Sequence, residues 1–102
     1  MKNTYQEFEL VNGEKVKLTL NFSSLLKIKN KHTDLYNDFM RIMQGEEDFD
    51  IIYDCLKVIY ISYLCANIET DNYLSEEEFI EKLPFDIEKI NLLVNKMMMV
   101  GK

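Results

Sequence analysis

The 102-residue sequence predicts an α+β fold that is mainly α, with an N-terminal β-hairpin over residues 1–21 packed on a compact bundle of about four to five helices over residues 22–102. Three observations lead there. Phe8 and Leu10 lie on one face of an alternating strand, Val16, Leu18, Leu20 and Phe22 lie on one face of a second, and Asn12-Gly13 sits between them. From there on the apolar spacing is helical, punctuated by caps and stops. The stretch from Ile51 to Ile68 is apolar on nearly every side, as befits a helix in the middle of a fold. A chain of this length buries one core, so residues 1–102 read as a single domain.

Parity sets the hairpin register. A two-residue Asn12-Gly13 loop would place Phe8 opposite Lys17 and Leu10 opposite Lys15, mixing the apolar face with charge. A three-residue loop, Val11-Asn12-Gly13 with Gly13 left-handed, places Phe8 opposite Val16 and pairs Glu7 with Lys17 and Glu9 with Lys15. The odd loop is therefore expected. Two strands alone are marginal in water, so the helices must cover the face of Phe8, Leu10, Val16, Leu18 and Leu20.

Ser23 or Asn21 can cap a first helix through Leu25, Leu26 and Ile28 that ends near Asn30 to His32. Thr33 then caps a second, Asp34 to Gln44, with Leu35, Tyr36, Phe39, Ile42 and Met43 at helical spacing and Gly45 as its stop. After the acidic Glu46-Glu47-Asp48, Asp48 caps the central helix, Phe49 to Ala66, which is apolar on nearly every side apart from the charged Asp50, Asp54 and Lys57. Residues 67–73 form a polar turn. Ser75 with Glu78 makes a capping box for a short helix to about Leu83, which Pro84 ends. Asp86 caps the last helix, which runs through Ile87, Ile90, Leu93, Val94 and Met97 and frays at Gly101.

Composition excludes several function classes. Apolar residues make up 47% and charged residues 29%, an ordinary globular balance. The polar start, read as strand, leaves no place for a signal peptide. Asp54 and Lys57 rule against a membrane span over 51–68, because each costs roughly 2.5 to 3.5 kcal/mol at the bilayer centre. The net charge of −6 is divided: residues 1–33 carry +3 and residues 34–102 carry −9. Most of the chain would repel a phosphate backbone, so nucleic acid is not an expected partner. Lys27, Lys29 and Lys31 form either a small basic patch for an acidic partner or a solvated helix face. Cys55 and Cys65 stand ten residues apart on one helix, a rise of about 15 Å against the roughly 7 Å that a disulfide spans, so both are expected as free thiols of an intracellular protein.

No constellation carries chemistry. Residues 67–78, NIETDNYLSEEE, match the second half of a calcium-binding EF-hand loop, with Tyr73 at the carbonyl position, Leu74 at the hydrophobic one and Glu78 at the bidentate one. The first half departs from that pattern. Asn67 replaces the first Asp, Glu69 takes the third position and Asn72 sits where Gly is needed, while the capping box already accounts for Ser75 and Glu78. There is no phosphate loop, no His pair, and no Ser or Cys with a partner base; His32, the only histidine, reads as a helix-end residue. Glu76, Glu77, Glu78 and Glu81 complement a helix dipole. No enzyme activity, cofactor or metal is expected. Met97-Met98-Met99 fan over about 200° of the last helix, so at least one leaves the buried face. They form either a frayed end or, with Leu92, an adaptable apolar surface for a partner segment, with Lys27 and Lys31 as the next candidates.

The FELVNGEKVKLTL hairpin, the NFSSLLKIKNK segment, the apolar IIYDCLKVIYISYLCAN and the YLSEEEFIEKLPFD run before a last helix together resemble the tail assembly chaperones of long-tailed phages and prophages of Gram-positive hosts. The likeness is one of pattern and order over almost the whole chain, with no signature motif. It implies a small non-enzymatic protein that coats the aggregation-prone tape-measure protein in the host cytoplasm, helps recruit tail-tube subunits and is absent from the finished virion. Many members also have a longer product made by a programmed frameshift, and a chain stopping at Lys102 would be the short form. The resemblance implies no catalytic or ligand residues and fixes no oligomeric state. A regulatory or inhibitory protein-binding module, or a degenerate EF-hand protein, are the alternatives.

Overall fold

Strands β1 (Gln6–Glu9) and β2 (Lys15–Leu18) pair antiparallel with Phe8 opposite Val16, Glu7 opposite Lys17 and Glu9 opposite Lys15. This is the register of the odd loop. The Gly13 N–H donates to the Leu10 carbonyl at 2.9 Å, the Leu10 N–H donates to the Glu14 carbonyl at 2.8 Å, and the Asn12 Oδ1 accepts the Glu14 N–H at 3.0 Å. Gly13 itself has φ +89°. The computed structural model describes residues 5–44, 51–70 and 72–100, without the side chains of 51 and 97–100.

The second strand stops at Leu18, earlier than the alternation predicts. The Thr19 N–H donates at 3.1 Å to the carbonyl of Ser62, and the Asn21 side chain accepts the Ser24 N–H at 2.8 Å, starting α1 (Phe22–Lys31). Asn21, not Ser23, is the cap. Phe22 is consequently the first residue of a helix and 85% exposed rather than a strand residue facing the core. Leu25 and Ile28 dock α1, and Leu26, one position round from Leu25, points outward at 57% exposure.

His32 ends α1 and precedes α2 (Thr33–Met43), donating its N–H to the Ile28 carbonyl and accepting the Tyr36 N–H on its own. Thr33 does not cap α2 as expected. Its hydroxyl donates at 2.8 Å to the Lys29 carbonyl, one of the last carbonyls of α1 that lacks a helical partner. In α2, Phe39 and Ile42 are buried while Leu35, Tyr36 and Met40 pack partly against the core. Met43 is exposed. The Gly45 stop, the Asp48 cap and the expected helix start at Phe49 lie outside the described residues.

Helix α3 (Ile51–Asn67) is the centre, packed by α1, α2, β2, α4 (Glu76–Glu81) and α5 (Ile87–Val100). Residues 57–65 of α3 are buried without interruption. Its polar residues are therefore each matched. Arg41 Nη2 meets Asp54 Oδ1 at 3.1 Å, Lys57 Nζ lies 2.7 Å from Glu76 and 3.6 Å from Asp38, and the Ser62 hydroxyl donates to the Val58 carbonyl at 2.8 Å. No buried side-chain nitrogen or oxygen among the described residues lacks a partner. The predicted capping box of α4 is present, with Ser75 accepting the Glu78 N–H and Glu78 accepting the Ser75 N–H. Asp86 caps α5 through the Lys89 N–H, and Ile90, Leu93 and Val94 are buried. Ile87, expected on that buried face, is half exposed: it is the first residue of α5, with no preceding helical turn to flank it, and stands about 60° round from Ile90.

Two predictions follow from this geometry. A Cβ at Gly13 would meet nothing within 4 Å, so Gly13→Val carries only the backbone cost of left-handed geometry, about 1 to 2 kcal/mol in urea denaturation, and Gly13→Asn costs less. Lys57→Met should change stability by less than about 1 kcal/mol, because Asp38 and Glu76 are partly exposed and can rehydrate. Glu76→Ala strips the nearer partner from a buried ammonium and should cost about 2 kcal/mol or more, so a reversed order of the two variants would refute the pairing.

Candidate functional site

The surface of α1 is set by its own spacing. With Leu25 and Ile28 turned to the core, Phe22, Leu26 and Asn30 share an outward face centred about 130° round the helix from them, at about 100° per residue. Lys29 flanks that face on one side and lies over the Tyr36 ring at 5.6 Å. Lys27 and Lys31, proposed from sequence as partner-binding residues, flank it on the other. There they line an open recess of ≈ 460 Å³ with Asn30, Ile68 and Glu69, and Lys27 is ion-paired with Glu69. A neighbouring recess of ≈ 330 Å³ shares Lys27, Ile68 and Glu69 and extends to Tyr5, Asn21 and Cys65. Together they form a trough between α1 and the C-terminal end of α3.

Leu92, the other described candidate, stands on the outward face of α5 at 57% exposure, between the buried Ile90 and Leu93. The α5 backbone continues as helix through Met97, Met98 and Met99, whose side chains lie outside the described residues. Among the described residues no α5 side chain lines the trough, so Leu92 is not part of the Lys27–Lys31 surface. The sequence reading missed Phe22 and Leu26 as surface residues. The signal was available in the Asn21 cap, which makes Phe22 the first residue of a helix and turns it about 120° away from Ile28. Among the described residues the most exposed large hydrophobic, Phe85 at 98%, sits at the Pro84 corner beyond α4.

The EF-hand-like segment is occupied otherwise. The Asn67 amide donates to the Tyr63 carbonyl at 2.8 Å, Thr70 donates to the Asn67 carbonyl, and Glu78 closes the capping box. Two tyrosines of α3 hold the segment instead: the Tyr60 hydroxyl donates to the Leu74 carbonyl and the Leu74 N–H donates to the Tyr63 hydroxyl, both at 2.9 Å. Both rings pack on Phe79, Tyr63 stacked at 4.5 Å between centroids. The His32 Nε2 sits 2.8 Å from the Tyr73 hydroxyl, tying the α1–α2 junction to the same loop. Among the described residues no three His, Cys, Asp or Glu side chains come together to hold a metal, and no helix is long and apolar enough to cross a membrane.

Electrostatics here favour protonated, inert groups. Burial pushes the Cys65 thiol up to about 12, with a backbone hydrogen bond from Asn21 opposing it in part, so at neutral pH it is a thiol and not a nucleophile. Cys55 and Cys65 are both buried and unbridged. Burial, with the charge of Glu76 next, likewise raises Tyr60 to about 12, and burial raises Tyr63 against the opposing Leu74 hydrogen bond. For Lys57 burial lowers the pKa, but the Glu76 hydrogen bond and the charges of Glu76, Tyr53 and Asp38 outweigh it and leave it raised. No family model, curated protein or solved structure matches the chain.

All four shifts have one sign. A group that holds its proton more tightly when folded stabilises fully below its unfolded pKa, and that stabilisation is lost as pH rises through the folded value. Thermal stability should thus fall steeply between pH 9.0 and about 12. Tyr60→Phe removes one of the titrating groups and should recover on the order of 2 kcal/mol of the alkaline loss, while costing about 1 kcal/mol at pH 7 for the Leu74 hydrogen bond. Melting curves of both proteins from pH 7 to 12 test this; parallel losses would refute it.

Proposed function

We propose that this chain is a non-enzymatic tail assembly chaperone of a phage or prophage, acting in the host cytoplasm and absent from the mature virion, that binds the tape-measure protein and helps recruit tail-tube subunits. The observation that carries the reading is α5, which spends one stripe, Ile90, Leu93 and Val94, on α3 and leaves Leu92 outside; the sequence of its last turns reads Met97-Met98-Met99. A helix with apolar residues beyond those its own docking uses suits a surface that shields apolar segments of a long partner. The hairpin followed by helices, the order of elements on which the resemblance rests, supports the same reading. Flexible thioethers fit a partner that presents many different helical segments in turn.

Co-expression with the neighbouring tape-measure protein tests the proposal through the solubility of that protein. The wild-type chain should keep it soluble. The triple variant Leu92→Ser, Met98→Ser, Met99→Ser should lose most of that protection, and Leu92→Ser alone should change stability by less than about 0.5 kcal/mol, as exposed substitutions usually do. Equal protection by the variant would move the binding surface away from α5, and insolubility with the wild type present would overturn the chaperone assignment.

A further inference from the structure

We propose that α1 is a docking ridge for an acidic amphipathic helix of another protein. The inference goes beyond the chaperone reading, because it concerns a different helix and does not depend on the tape-measure protein.

Phe22 and Leu26 are one helical turn apart on the outward face of α1, and neither serves the fold in an evident way. Leu25 and Ile28 already dock the helix, and the Asn21 side chain already caps it. A large aromatic at 85% exposure beside a second exposed apolar residue is a ridge suited to packing between the side chains of a facing helix. Charge identifies the occupant. Residues 22–31 hold three lysines and no acid, in a chain whose residues 34–102 carry −9. Lys29 on one flank of the ridge and Lys27 and Lys31 on the other match a partner helix whose apolar stripe is bordered on both sides by Asp or Glu.

The recess beside the ridge shows how such a carboxylate is received. Ile68 is its apolar floor, Lys27 and Lys31 are on its rim, and Glu69 supplies a carboxylate to Lys27 from within the chain. Both partners of that ion pair are exposed, a class worth less than about 1 kcal/mol, so a partner's carboxylate can take Glu69's place at little cost. An anionic membrane is the less favoured occupant. Two apolar side chains anchor poorly in lipid, and a chain of net charge −6 is repelled by it.

The probe is a synthetic helical peptide of about 18 residues with a Leu and Phe stripe flanked by Glu, compared by fluorescence anisotropy with the same stripe flanked by Lys, at about 50 mM and 300 mM salt. The acidic peptide should bind at least about tenfold tighter than the basic one, and weaken with salt. Phe22→Ser with Leu26→Ser should weaken it about tenfold with the circular dichroism spectrum and melting temperature unchanged, and Lys27→Glu with Lys31→Glu should invert the preference. Equal affinity for both peptides, or undiminished binding by the Phe22 and Leu26 variant, would overturn the proposal. Phosphatidylserine vesicles and sedimentation of the protein alone complete the test: vesicle binding, or self-association, that disappears in the same variant would assign the ridge to a membrane or to a second copy and overturn it equally.

Discussion

The burial of residues 57–65 of α3 on every side is the constraint on which the other elements depend. A helix surrounded by apolar neighbours leaves no polar side chain a route to water, and an unpaired polar group there would cost several kcal/mol. Asp54, Lys57 and Ser62 therefore dictate what must lie beside them. Arg41 and Asp38 come from α2, Glu76 comes from α4, and the Ser62 hydroxyl turns back to its own helix. The ion pairs act less as sources of net stability than as fixed points of register, since misplacing α2 or α4 would strand a charge.

The hairpin completes that cover, and its attachment is made by backbone as much as by side chains. Thr19 donates its N–H to the Ser62 carbonyl at one end, and Val11 donates to the Lys82 carbonyl at the other. A strand approaches a helix this closely only where the helix residue is small, and Ser62 is fully buried at that contact. The segment between α3 and α4 is fixed on the same logic, through the backbone groups of Leu74 held by Tyr60 and Tyr63. Each bond satisfies a polar group that packing against α3 would otherwise leave without water.

Once α3 is covered, the outward faces of the covering helices are free to carry other information. Apolar residues there are few enough to be ordinary singly, and become informative by position. On α5 Leu92 leads toward the Met run, in a helix whose charged residues are Glu88, Lys89 and Lys96; on α1 Phe22 and Leu26 stand among lysines with no acid. The two surfaces differ in chemistry because α1 surrounds its exposed apolar residues with lysines alone, whereas α5 sets Leu92 and the Met run among few charges of mixed sign.

The sequence by itself determined what depends on neighbours a few residues away. The parity of the Val11-Asn12-Gly13 loop, the capping box at Ser75 and Glu78, the Asp86 cap and the all-round apolarity of α3 are local or periodic properties, and each is legible without a partner. Tertiary structure decided where each pattern stops. Alternation alone carried β2 on to Phe22, because a period of two cannot register that the Thr19 N–H finds the Ser62 carbonyl and that Asn21 finds the Ser24 N–H. A threonine hydroxyl at a helix boundary can accept an N–H of the helix ahead or donate to a carbonyl of the helix behind, and the path between α1 and α2 gave that of Thr33 to the Lys29 carbonyl. Lys57 reads as a solvent-facing residue until Asp38 and Glu76, distant in sequence, converge on it. The trough of Lys27, Lys31, Ile68 and Glu69 is likewise a product of packing: its two walls are about 40 residues apart in the chain, and their proximity comes from α1 lying on α3.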